Sequence, residues 1–290
     1  MKHALFTGAC TALVTPFLDG KVNYPMLEQL LRRQIDSGIR AVVICGTTGE
    51  APTLTDGEKL ELFRRSKEYT GDECSIIAGT GSNNTAHTVK LSTEAAQQGV
   101  DGLLIVSPYY NKATPEGLLK HYRAVANSVD LPIILYNVPS RTGLDIGVDI
   151  YRELSEFPNI AGVKEASSDI TKITRILGAC GDTFPVWTGN DEMITPAMSL
   201  GCSGVISVVS NILPMETQAL ATAALAGDFD TAAALQIRLQ PLIEALFSEV
   251  SPIPVKAALK LIGYDCGNCR LPLSDISQAN LHRLQKVLLR

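Results

Sequence analysis

The chain has 290 residues, 46% of them apolar and 19% charged, with 25 basic and 30 acidic side chains giving a net charge of −5. That composition fills a core and excludes a disordered chain, and the acidic balance lacks the basic footprint of a nucleic-acid binder. No apolar run approaches the ~18 residues that span a bilayer, so neither membrane nor nucleic acid is an expected partner.

Taken in chain order, Met1–Phe17 reads as a first buried strand rather than a signal peptide, because Thr7, Gly8 and Thr11 interrupt its apolar stretch and Pro16 closes it. Short β-branched runs then recur at Thr11–Val14, Ala41–Cys45, Ser75–Ala78, Gly102–Val106, Pro132–Tyr136, Ile160–Val163, Pro185–Thr188 and Gly204–Val208. They are almost continuously apolar, as strands covered on both faces must be. Between them lie helical patterns. Leu27, Leu30, Leu31 and Ile35 follow Asn23 at helical spacing and stop at Gly38, and Thr55-x-x-Glu58 is a capping box. Further helices fit Asn84–Gln98, Thr114–Ser128, Asp149–Glu156, Asp169–Leu177, Asp191–Leu200 and Met215–Ala226. Eight strands alternating with eight helices predict an α/β fold, a (β/α)₈ TIM barrel over residues 1–227. A doubly wound sheet has the same alternation and stays open at this point. Residues 228–290 read as helices only, with a stripe of Leu235, Leu239, Leu242, Ile243 and Leu246, then Pro254–Ile262 and Asp275–Leu289, and form a helical extension packed on the barrel.

The seven cysteines (10, 45, 74, 180, 202, 266 and 269) are an odd count, and several sit in apolar runs, which fits reduced thiols in a cytoplasm. Cys266-Gly-Asn-Cys269 supplies two metal ligands where structural zinc takes four, and none of the histidines at 3, 87, 121 and 282 is close to it in sequence. Gly79-Thr-Gly81 lacks the third glycine of a dinucleotide fingerprint, and no P-loop, H-E-x-x-H or EF-hand sequence occurs. No metal or cofactor site is expected.

In a barrel the chemistry sits where strands end. Lys164 ends an apolar strand, and strict alternation puts it on one face with Gly162 and Ile160. A lysine buried at a barrel mouth either pairs with an acid or, its charge disfavoured, attacks a carbonyl to form a Schiff base. Gly46-Thr-Thr-Gly49 suits a carboxylate or phosphate, or is simply a tight turn. Tyr136 is a core phenol or a proton relay. Arg141 clamps a carboxylate or lies on the surface, and Tyr109-Tyr110 reads as loop packing.

Together Gly46-Thr-Thr-Gly-Glu50, Tyr136-Asn-Val-Pro-Ser-Arg-Thr-Gly143 and Lys164-Glu-Ala-Ser167 resemble the dihydrodipicolinate synthase family, now called 4-hydroxy-tetrahydrodipicolinate synthases. The resemblance runs nearly the whole chain, through Ala12-Leu-Val-Thr-Pro-Phe17, Ala78-Gly-Thr-Gly-Ser-Asn83 and Pro252-Ile-Pro-Val-Lys256. It implies condensation of pyruvate with L-aspartate 4-semialdehyde on the route to lysine and diaminopimelate. Lys164 is the expected imine-forming residue, with Tyr136 as relay and Thr47 and Tyr110 as its partners, Tyr110 reaching a neighbouring subunit. Thr47 and Thr48 are expected on the pyruvate carboxylate and Arg141 on the semialdehyde carboxylate, with Gly189 and Ile206 lining the pocket. No cofactor is implied beyond the lysine imine, and a cytoplasmic homotetramer, a dimer of dimers, is expected. N-acetylneuraminate lyase and the 2-keto-3-deoxy sugar-acid aldolases share the fold and lysine. Arg141 separates them, since a polyol chain has no use for it. A non-catalytic barrel would have lost Lys164 or Tyr136. Many relatives bind lysine as a feedback inhibitor through Ser-Ala, two histidines and a glutamate. Here Ala51, Pro52, Asp56, Lys59 and His87 stand at those positions and only Asn83 and Tyr109 fit, so insensitivity to lysine is expected.

Overall fold

The computed structural model describes residues 4–288, so the parts of the expected Met1–Phe17 and Asp275–Leu289 segments at residues 1–3 and 289 lie outside it. Eight parallel strands close into a barrel: β1 Gly8–Ala12, β2 Ala41–Ile44, β3 Ser75–Gly79, β4 Gly102–Val106, β5 Ile133–Asn137, β6 Ile160–Glu165, β7 Val186–Thr188 and β8 Gly204–Ser207. Closure is made by β1, which pairs with β8 from Gly8↔Gly204 to Thr11↔Ser207 and with β2 at Thr11↔Val42. That double pairing explains why β1 begins earlier than the expected Thr11–Val14. The doubly wound alternative is thereby excluded.

The intervening helices are α1 Tyr24–Asp36, α2 Asp56–Thr70, α3 Thr85–Ala96, α4 Pro115–Ala126, α5 Val148–Leu154, α6 Ile170–Cys180, α7 Ile194–Ser199 and α8 Pro214–Leu225. Their starts follow the sequence. Asn23, Asn84, Thr114 and Asp169 each accept a first-turn backbone N–H, and both halves of the Thr55/Glu58 capping box are present. The expected helix at Asp191 instead opens with a 3₁₀ turn, Asp191–Met193, before α7. Beyond Gly227 come α9 Phe229–Leu246, α10 Ile253–Leu261 and α11 Gln278–Leu288. Helix α9 packs on α7 and α8, and α11 packs on α9 and α10. Leu239, Leu242, Ile243 and Leu246 of the predicted stripe are buried, and Leu235 is half-buried. A two-residue hairpin, Phe17–Leu18 against Lys21–Val22, and a one-turn helix, Pro139–Thr142, carry no apolar period and were not expected. No helix among the described residues is long and apolar enough to cross a membrane.

The barrel is filled rather than hollow. Cys10, Ala12, Val43, Ile77, Ile134, Trp187 and Ile206 form its interior, and Phe6 stacks on Trp187 at 4.9 Å between ring centroids. A second, larger core lies between sheet and helices and contains both Ile160 and Val163. Those two residues are an odd number apart, so alternation breaks between them. The cause is a bulge: Ile133 pairs with Ile160, but the next residue, Ile134, pairs with Gly162. Ile160 therefore does not share a face with Lys164, as strict alternation predicts; it faces the helices, and Gly162 and Lys164 face the interior.

Glycine is required at this step. Gly162 has φ +148°, and a Cβ there would lie 2.2 Å from the Pro185 carbonyl oxygen and 2.9 Å from the Trp187 ring. Strained backbone and overpacking each cost about 1–3 kcal/mol. Gly162→Ala should therefore lower stability by about 3 kcal/mol in denaturant unfolding at fixed protein concentration. A loss below about 0.5 kcal/mol, the size of an ordinary surface change, would show that β6 and β7 do not need this approach.

Candidate active site

At the C-terminal end of the barrel, Lys164 lies between Tyr136 of β5 and Trp187 of β7, its Cα partners in the two neighbouring strands. It is 6% exposed, and its Nζ sits 4.4 Å from the centroid of the Tyr136 ring. Among the described residues no carboxylate pairs with it; its interior neighbours are apolar or aromatic. Gly189, just past β7, leaves room for the side chain. A Cβ there would stand 2.8 Å from Lys164 Cε and 2.7 Å from Ala166 Cβ. Ile206 pairs with Cys10 deep in the same interior. Burial pushes the Cys10 thiol well up, so it is protonated and apolar in character.

The adjacent residue, Glu165, faces the other way. It accepts two hydrogen bonds from Asn137, of β5, and one each from the Tyr151 hydroxyl and the Ser167 N–H. Burial raises its carboxyl, opposed by Lys172, which lies 3.8 Å away and also pairs with Asp145. Asn137 and Glu165 are the neighbours of Tyr136 and Lys164, so this network holds β5 and β6 in the register that sets those two side by side.

In front of Tyr136 opens a cavity of about 610 Å³ whose walls include Gly46, Thr47, Tyr136, Val138 and Arg141. Thr47 is half-buried, and Thr48 beside it is 5% exposed. Their turn is held by Gly49 and Glu50 N–H bonds back to Gly46 and Thr47, and by the Thr15 hydroxyl on the Gly49 carbonyl at 2.6 Å. No hydrogen bond joins Thr47 to Tyr136 among the described residues; they share the cavity. Arg141 is exposed at its rim, on the turn Pro139–Thr142, and donates from Nη2 to the Ser251 carbonyl at 3.3 Å. That uses one of five guanidinium donors. Tyr110 stands apart. It is 90% exposed at φ +70° and is not among the residues lining its own chain's cavity.

The cavity continues past Ala51 and Pro52 to Asp56, Lys59, Asn83, His87 and Tyr109. His87 Nε2 lies 2.9 Å from the Asp56 carboxylate and Lys59 Nζ 3.9 Å from it. Slight burial would raise the Asp56 carboxyl, but the hydrogen bond and charge of His87, with Lys59, hold it below its ordinary value. Cys266 is buried and Cys269 half-buried, and burial pushes both thiols up to about 12. Among the described residues no three His, Cys, Asp or Glu converge as metal ligands.

Asp191 was not singled out by the sequence. Its Oδ2 accepts the Val208 and Val209 N–H groups at 3.0 and 2.8 Å, tying the end of β7 to that of β8. Its Oδ1 is buried with no partner among the described residues. An acid two residues beyond Gly189 was the available signal, hidden because it also reads as a helix start.

The dihydrodipicolinate synthetase family model matches residues 5–290. The chain is 44% identical over 288 residues to 4-hydroxy-tetrahydrodipicolinate synthase of Acetivibrio thermocellus, covering 99% of this chain and 98% of that one. It is 49% identical over 276 residues to the enzyme of the same name from Exiguobacterium sibiricum, covering 95% and 94%. The crystal structure of dihydrodipicolinate synthase from Aquifex aeolicus superposes with a TM-score of 0.96 at 42% identity, over 98% of this chain and 97% of that one.

Burial raises the Asp191 carboxyl to about 6 against the pull of Ser207 and the two N–H groups. The native state then binds this proton more tightly than the unfolded chain, so the contribution to stability falls as pH rises from about 4 to about 6. Asp191→Asn cannot ionise. From pH 4 to pH 7 its stability should improve relative to wild type by about 2 kcal/mol, read as denaturant midpoints at both pH values. Parallel curves for the two proteins would contradict this.

Proposed function

The chain belongs to the dihydrodipicolinate synthetase family of class I aldolase-type carbon–carbon lyases, and on that premise we propose that Lys164 is its Schiff-base residue. Its reaction is the condensation of pyruvate with L-aspartate 4-semialdehyde, in lysine and diaminopimelate biosynthesis. The observation that carries the assignment is the Lys164 amine, buried over Tyr136 at the barrel mouth with no carboxylate partner among the described residues. Nζ adds to the pyruvate ketone and water leaves, giving an imine. The imine withdraws electrons from the methyl carbon, which loses a proton and becomes an enamine. That carbon attacks the semialdehyde carbonyl, and the new alkoxide takes up a proton. The amine of the semialdehyde then displaces Nζ, closing the ring and freeing Lys164. The imine is itself the electron sink, which supports a reaction without metal or organic cofactor.

Thr47 and Thr48 hold the pyruvate carboxylate, Gly189 and Ile206 shape the pocket behind it, and Tyr136 passes protons with Thr47. The exposure of Tyr110 supports its reaching a neighbouring subunit's site, in a cytoplasmic homotetramer built as a dimer of dimers. Gln236 of α9 donates to the Asp191 carbonyl and accepts the Thr195 N–H, and the Thr195 hydroxyl donates to the Ala232 carbonyl; these contacts support residues 228–290 as an extension packed on the 1–227 barrel. Among the described residues Asp56 is the only acidic one lining the cavity, and its engagement by His87 and Lys59 supports insensitivity to free lysine.

Borohydride treatment with pyruvate should fix one adduct per chain on Lys164, and Lys164→Ala should abolish it and lower kcat at least about 10³-fold. Trapping of undiminished yield on another lysine would overturn the assignment. Arg141→Ala removes the proposed clamp on the semialdehyde carboxylate. A lost charge-assisted contact is worth about 1.5–3 kcal/mol, so the KM for the semialdehyde should rise about 10–150-fold with little change for pyruvate. A change confined to pyruvate would place Arg141 on the wrong substrate.

A further inference from the structure

Glu50 closes the Thr47-Thr48 turn and is not used by the chemistry above. Its side chain is fully buried, and its backbone is left-handed at φ +56°. Both carboxylate oxygens are taken by the C-terminal extension. Oε1 lies 2.9 Å from Lys256 Nζ, on α10, and Oε2 accepts the Arg270 N–H at 2.8 Å. Lys256 is equally enclosed, with 3% side-chain exposure; Nζ also donates to the Asn268 carbonyl and lies 4.3 Å from the centroid of the Phe17 ring. The Arg270 guanidinium continues the link to the Thr53 carbonyl and to Glu58, the capping residue of α2.

Two residues before α10, the Ser251 carbonyl accepts from Arg141. Ser251 to Lys256 therefore bridges the mouth of the barrel, touching the turn of Thr47 and Thr48 at one end and the turn of Arg141 at the other. A left-handed glutamate persists only where its surroundings fix it. An isolated buried carboxylate is costly, so the pair does not come apart while the protein is folded.

We infer that Glu50 and Lys256 are positioning residues, which fix the Thr47-Thr48 turn against the C-terminal extension so that its hydroxyls meet the carboxylate of the keto acid. The inference rests on the reading that this turn binds pyruvate. It makes the extension a working part of the site: without its Lys256 the barrel holds the amine but not the carboxylate cradle.

The test removes both charges together, because Glu50 left alone and buried destabilises the protein whatever its role. Glu50→Gln/Lys256→Met should form the pyruvate adduct with half-maximal trapping at about tenfold or more higher pyruvate, since small misplacements near a reacting group are costly in rate and binding. The KM for pyruvate should rise in step while that for the semialdehyde stays within about threefold of wild type, a split a merely structural pair would not produce. Should the double variant not fold, Glu50→Gln/Lys256→Gln, which also removes both charges but keeps polar groups at both positions, should move the same two pyruvate readouts by about threefold. Hydrogen exchange at the amides of residues 46–50, followed without substrate, should be faster in either variant. Pyruvate readouts within about twofold of wild type in a folded variant would overturn the inference. Absence of a pyruvate adduct on the wild-type protein would instead overturn the proposed function, and the exchange rates alone would then decide the positioning, with unchanged rates counting against it.

Discussion

The one-residue bulge between Ile160 and Gly162 decides which way the end of β6 points. Strand side chains alternate, so a slip of one residue exchanges inside for outside along everything that follows. With Ile160 committed to the helices beside Ile133, an unbulged strand would put Glu165 in the barrel and Lys164 among the helices. The bulge reverses this. It is possible because Gly162 has no Cβ where β6 meets the Pro185 carbonyl and the Trp187 ring.

From that phase follows a separation of charge. The carboxylates near the mouth are each engaged away from the amine. Glu165 is bound by Asn137, Tyr151 and Lys172 behind the sheet, Glu50 by Lys256 and Arg270 under the extension, and Asp191 by two backbone N–H groups between β7 and β8. Lys164 is left with an aromatic face and, among the described residues, no counter-ion. An aldolase of this type needs that arrangement, because its substrates bring carboxylates and its lysine must meet a carbonyl.

Much of this was legible in the sequence. Buried parallel strands are nearly pure apolar runs, so eight of them and their helices stand out, with ends within a few residues. Lys164, Tyr136, Arg141 and the Gly46–Glu50 turn were legible because they end strands, where a barrel concentrates chemistry. What stayed hidden depends on pairing rather than local pattern. The bulge is invisible because Ile160, Gly162 and Val163 fit either phase in a strand that is apolar on both faces. The Glu50–Lys256 pair joins residues 206 positions apart, and each looks like an ordinary surface charge until the extension folds over the mouth. Asp191 reads as a helix cap, and the 17–22 hairpin is too short to show a period of two.

The proposed mechanism requires Lys164 to meet a keto acid at this mouth with its carboxylate in the Thr47-Thr48 turn. A crystal structure of the protein with pyruvate tests both parts at once. It should show continuous density from Lys164 Nζ to the keto carbon, with the carboxylate oxygens within hydrogen-bond distance of the Thr47 and Thr48 hydroxyls or N–H groups. Pyruvate bound without a covalent link to Lys164, or with its carboxylate turned to another part of the barrel, would contradict it.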